Sequence, residues 1–85
     1  MLKQIYSFHD SKVCVYHPPM VLLNDSEARR LAADVVADPQ TPMSRHASDF
    51  RLVRIGSYDD GSGVIVPLVN PEFVADLVEF KSKEA

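Results

Sequence analysis

DFRLVRIGSYDDGSGVIVP, residues 49–67, decides the fold, because it reads as two short strands joined by an acidic, glycine-containing turn. Tyr58-Asp59-Asp60-Gly61-Ser62-Gly63 sets two aspartates and two glycines between apolar runs. These residue types tolerate positive φ and local side-chain to backbone bonds, so a tight hairpin is expected. The runs on either side, Phe50 to Ile55 and Val64 to Val69, are rich in β-branched and aromatic residues that suit a pleated, half-buried surface. Neither alternates cleanly. Val64, Ile65, Val66, Leu68 and Val69 put apolar groups on both faces, which implies cover on two sides or contact with a second subunit. Pro67 lacks an amide donor and points to a strand edge or end.

Working outward, Gln4–His9 and Val13–His17 flank Asp10-Ser11-Lys12 as a first hairpin, which Pro18-Pro19 ends or bends toward Met20–Leu23. Asn24 is a helix cap with Glu27 three residues on. Ala28, Leu31, Ala32, Val35 and Val36 then recur at helical spacing, and Asp38-Pro39 stops the helix. Residues 39–48 read as a loop with two prolines and no apolar period. Asn70-Pro71-Glu72 has the form of a second helix start, followed by a narrow stripe of Phe73, Val74, Leu77 and Val78. The expected architecture is α+β, in the order β-β-α-β-β-α. Two β-hairpins form a small antiparallel sheet covered by one helix, with a short C-terminal helix. Residues 1–85 make one domain, with a frayed tail at 81–85.

A chain of 85 residues buries only about 60 to 65 per cent of the surface it exposes when unfolded. Dimerisation through an apolar strand face or helix would add burial, and a homodimer is the expected state. Cys14 stands alone, so an intramolecular disulfide is excluded and a reducing cytoplasm is the simpler setting. No apolar run approaches the length of a bilayer span and the N-terminus lacks a signal-peptide segment, so no membrane partner is expected.

Nine Lys and Arg against twelve Asp and Glu give a formal charge of −3, which disfavours strong nonspecific attachment to polyanions. Within that balance Arg45, His46, Arg51 and Arg54 cluster with only Asp49 among them, and Arg29 and Arg30 lie on the helix. These six are the candidate phosphate contacts, with Tyr6 and Tyr16 as aromatics that could stack on unpaired bases. The alternative for the same arginines is a solvated face with intramolecular pairs to nearby acids. Val64, Val66, Phe73 and Leu77 are the candidate protein interface.

Catalytic and metal readings are weak. Cys14 and His17 have a zinc-like spacing but fall on opposite faces of the expected strand, with no second ligand pair. No oxyanion hole or orienting acid accompanies Cys14 as a nucleophile. Asp59 and Asp60 read as turn formers, and Gly61-Ser62-Gly63 is too short to cradle a phosphate. No catalytic residue, metal or cofactor is assigned, and the chain is expected not to be an enzyme.

In order along the chain, Ile5-Tyr6-Ser7 precedes Asp10-Ser11-Lys12, and the Leu52 to Gly63 segment carries Ile55-Gly56, Tyr58-Asp59-Asp60 and Gly63. This order resembles the small nonstructural protein of gokushovirus-like microviruses, single-stranded DNA phages. The resemblance implies a phage accessory protein in the cytoplasm of the infected bacterium, absent from the mature virion. It further implies a role in genome handling, in single-stranded DNA synthesis or packaging, with single-stranded DNA as a partner. It carries over no catalytic residue. Beside it stands an adaptor that binds a phage or host replication or assembly factor without touching DNA, through a strand edge or the C-terminal apolar stripe.

Overall fold

The computed structural model describes residues 1–81. Its elements are β1 (Leu2–Asp10), β2 (Val15–Tyr16), β3 (Met20–Leu22), α1 (Asp25–Ala37), α2 (Pro42–Arg45), β4 (Phe50–Asp59) and β5 (Ile65–Asp76). Short 3-10 turns occupy Ala47–Asp49 and Leu77–Phe80. The fold is α+β, an open antiparallel sheet of five strands with one main helix. The sheet runs β2-β1-β4-β5, with β3 also paired to β1, so β2 and β3 share its outer edge.

The first hairpin forms where expected, but its turn is longer and its return strand shorter. Lys12 donates its amide to Asp10 Oδ1, and Cys14 closes the turn at φ 58°, a left-handed conformation. Pro18-Pro19 then breaks the returning edge, which resumes as β3. Helix α1 begins as expected. Asn24 Oδ1 accepts from the Glu27 amide at 3.0 Å, and Glu27 Oε1 reaches back to the Leu23 amide at 2.8 Å. Ala28, Ala32 and Val36 are buried, while Leu31 and Val35 are half-buried.

Two expectations are corrected. Residues 39–48 are not an irregular loop: Thr41 caps α2 by accepting from the Ser44 amide at 3.1 Å, and Pro42 takes the first helical position, where its missing donor costs nothing. Asn70-Pro71 does not start a helix. The chain there continues as β5 to Asp76, and only a 3-10 turn, Leu77–Phe80, remains of the expected C-terminal helix. Pairing with β4 overrides the local signal, since Phe73 lies opposite Val53, Ala75 opposite Leu52 and Asp76 opposite Arg51. The frayed tail expected beyond Lys81 lies outside the described residues.

All the helical segments pack on one face of the sheet. Tyr6, Phe8, Leu52 and Ala75 form one buried cluster with Ala28, Ala32, Val36, Ala47 and Leu77, and Met43 and Phe80 join its rim. A bulge lets Val74 and Ala75, adjacent in sequence, both meet this layer. The thirteen residues of α1 span about 20 Å, whereas the ten of β4 run about 33 Å. The helix layer therefore ends short of the sheet. An arm made from the start of β1, the end of β4 and the start of β5 projects past it, giving extents of 46 × 25 × 20 Å.

The arm closes in a hairpin built as its sequence predicts. Gly63, at φ 77°, donates to the Asp59 carbonyl at 2.7 Å, and Gly61 donates to Asp59 Oδ1 at 2.9 Å. Gly56 is required by a close approach, because a Cβ there would lie 2.7 Å from the Val66 carbonyl oxygen and 3.2 Å from Pro67 Cα. Gly56→Ala is expected to lower stability by about 1 to 3 kcal/mol. Urea denaturation followed by circular dichroism measures it, and an unchanged midpoint would contradict the β4–β5 register.

Candidate functional site

The residues expected to meet phosphate do not converge. Arg54, half-buried on β4, spends its donors internally: Nε and Nη2 both reach Glu72 Oε1, at 3.1 and 2.9 Å, and Nη1 donates to Gln4 Oε1 at 2.7 Å. It thus ties β5 to β1 across β4. Arg51 pairs with Asp76 at 3.4 Å. Arg29 reaches from α1 to Glu79 Oε1 and the Val74 carbonyl, each at 3.2 Å, and lies 5.4 Å from the centre of the Phe80 ring. Arg45 donates to the Pro39 carbonyl at 3.2 Å. Arg30 on α1 and His46 after α2 are exposed and make no ion pair among the described residues. Three of the five arginines are therefore matched to carboxylates, all on β5 or the turn that follows it.

The two aromatics separate as well. Tyr6 is fully buried, with its hydroxyl donating to Asp25 Oδ1 at 2.6 Å, so no base can reach its ring. The expectation of stacking there is corrected: Tyr6 belongs to the covered face and braces the start of α1. Tyr16 is half exposed on β2, its ring 4.4 Å from that of His9. On the protein-interface side, Leu77 is fully buried beneath α1 and is withdrawn from the surface, whereas Val64, Val66 and Phe73 are exposed.

Exposed apolar side chains lie on the first hairpin, at Val13 and Val15, at Phe73 and Val78, and in a run on the arm. Val64, Ile65 and Val66 are more than half exposed, and Val69 is 96% exposed. For Val69 the cause lies in the ladder. Arg54 and Gly56 are two residues apart on β4, while their partners Glu72 and Pro67 are five apart on β5. Leu68, Val69, Asn70 and Pro71 therefore stand opposite Ile55 alone and leave the strand line as a protruding excursion.

At the arm's tip the carboxyls of Asp59 and Asp60 are held below the usual range. The Gly61 amide is the main cause for Asp59, and for Asp60 the amino group of Met1, 2.6 Å away, leads, with Lys3 adding to it. They are turn and tether groups here. A shallow cleft of about 300 Å³ lies between the first hairpin and α2, lined by Asp10, Lys12, Val13, Pro42, His46, Asp49 and Phe50. Among the described residues no three His, Cys, Asp or Glu side chains are placed to hold a metal ion.

The model of one protein family, described as Phage ORF5 protein, matches residues 3–80. The chain belongs to the Phage ORF5 family. No curated protein and no solved structure matches it. The match runs from the second residue of β1 to the end of the closing 3-10 turn and includes the excursion in β5.

Burial, reinforced by the hydrogen bond to Asp25, pushes the Tyr6 phenol well above its ordinary range. A raised folded-state value means that the stabilisation is complete below the unfolded phenol value, near 10, and is lost as pH rises toward the folded one. The thermal midpoint should therefore fall above about pH 10. Tyr6→Phe should show less of that alkaline fall while costing about 0.5 to 1.5 kcal/mol at neutral pH. Thermal melts of both proteins from pH 7 to 11 check this.

Proposed function

We propose that this phage ORF5 protein is a nonenzymatic accessory protein of viral genome handling that works as a protein-to-protein adaptor, contacting a phage or host replication or assembly factor through its arm. The observation that carries this reading is the fate of the arginines. Arg29, Arg51 and Arg54 face Glu79, Asp76 and Glu72 within hydrogen-bond or ion-pair distance, in a molecule of net charge −3. A phosphate would have to displace these carboxylates, and affinity for nucleic acid begins with cations that are free to release counterions. The arm offers the opposite character. Val64, Val66 and Val69 stand exposed beyond the helix layer on a strand pair whose backbones approach closely at Gly56. Apolar side chains grouped in this way mark contact sites rather than ordinary surface.

The order of motifs from Ile5-Tyr6-Ser7 to Gly63 supports a place among the gokushovirus-like microviruses. The protein would then act in the cytoplasm of the infected bacterium, outside the mature virion. Its mode of contact is by face and not by edge. Pro67 and Pro71 punctuate β5, Pro18 and Pro19 break the other edge, and both guard against strand addition.

Two measurements test the reading. A labelled single-stranded oligonucleotide titrated at about 50 mM salt should show no saturable binding, and binding that weakens steeply as salt rises would overturn the reading in favour of DNA contact. Tagged protein recovered from infected cells should carry a defined phage or host replication or assembly protein. Val66→Asp with Val69→Asp should lose that partner while circular dichroism stays unchanged.

A further inference from the structure

We infer that the sheet face opposite the helices is the interface of a homodimer, two copies packing sheet on sheet about a two-fold axis. This goes beyond the adaptor reading and rests on residues separate from Val64, Val66 and Val69. Directly paired residues in an antiparallel sheet share a face, so the register defines this one. Val21 and Ile5 form one row and Ser7, Val53 and Phe73 a second. Lys3 with Tyr58 lies at one end, and His9 with Tyr16, Arg51 and Asp76 at the other.

The helical segments all sit on the other side, in the cluster around Tyr6, Phe8, Leu52 and Ala75. The centre of the open face is nonetheless apolar. Phe73 is 58% exposed and Val21 47%, while Ile5, Val53 and Ser7 between them are 8%, 7% and 0% exposed. Phe73 is the side chain that such an interface would use as its anchor, since central aromatics carry most of the binding energy where one face meets another.

Size and charge both select a second copy as the occupant. Four strand positions spaced about 4.8 Å apart and about 30 Å long give a projected area of about 570 Å². Side chains raise the accessible area above its projection, toward the roughly 800 Å² that each partner gives to a stable interface. Each end carries one ion pair of mixed sign, Lys3 with Asp60 and Arg51 with Asp76, both at 3.4 Å. A half-turn about an axis running across the strands lays one end of the face over the other, so that each mixed-sign pair faces the other and no block of like charge is brought together. That is the self-complementarity an isologous contact requires. The aligned packing of two twisted sheets supplies the geometry.

Sedimentation velocity of the full chain across concentrations tests the inference. The wild-type protein should sediment as a dimer at micromolar concentration. Phe73→Glu and Val21→Glu, both at exposed positions, should each raise the dissociation constant at least about 30-fold with unchanged circular dichroism, and Val69→Glu should leave it unaltered. Hydroxyl-radical footprinting of the unmodified protein gives a readout that needs no variant: Phe73 should become protected as concentration rises. A wild-type monomer throughout the range, or a dimer that survives both glutamates, would overturn the proposal. So would a dimer abolished only by Val69→Glu. Failure here leaves the oligonucleotide and partner-recovery results of the adaptor reading untouched, and failure there leaves the oligomeric state untouched.

Discussion

The antiparallel seam between β4 and β5 is the contact on which the other features depend. Through it Glu72 and Asp76 reach Arg54 and Arg51, Ala75 and Val74 enter the core beneath α1, and Phe73 is turned to the opposite face. One bulge, at Val74, makes the last two outcomes compatible, since a regular strand would send neighbouring residues alternately up and down. The second irregularity, opposite Ile55, releases Leu68 to Pro71 from the ladder and creates the protrusion. Arg54 bridges all three long strands next to that point, through Glu72 on β5 and Gln4 on β1. The sheet is thereby held where its own hydrogen bonds are interrupted.

Much of the fold was legible because it rests on local chemistry. Asn24 and Glu27 cap a helix whose apolar stripe is intact, and the Asp59 to Gly63 turn uses each polar and glycine residue as its type suggests. The errors share one cause. Thr41-Pro42 and Asn70-Pro71 carry the same start signal, a capping side chain before proline. The first initiates α2 and the second lies inside a strand. Nothing local separates them. What differs is that the stretch after Asn70 has a strand partner, with Glu72 and Phe73 opposite Arg54 and Val53. The stripe of Phe73, Val74, Leu77 and Val78 therefore did not lie on one side: Phe73 and Val78 are exposed while Leu77 is fully buried.

The site residues were harder to place for a related reason. Alternation along β1 separates Tyr6 from Ser7, but it cannot say which side a helix will cover, and it is the Tyr6 side that α1 buries. The arginines cluster along the chain, yet Arg54 and Arg29 find their carboxylates 18 and 50 residues away. Linear spacing holds no record of those partners. Once they are seen, Arg29, Arg51 and Arg54 are found to serve the fold, both sheet edges are interrupted by proline, and apolar surface is left on the arm and around Phe73.

The most direct test is nuclear Overhauser spectroscopy of the segment from Glu72 to Asp76. The account predicts interstrand contacts from Phe73 to Val53 and from Ala75 to Leu52, together with strong sequential amide-to-α contacts along β5. Medium-range contacts between residues three apart, running from Pro71 through Val78, would mean a helix. In that case the acids would leave Arg51 and Arg54, Phe73 would leave the open face, and the account would be contradicted.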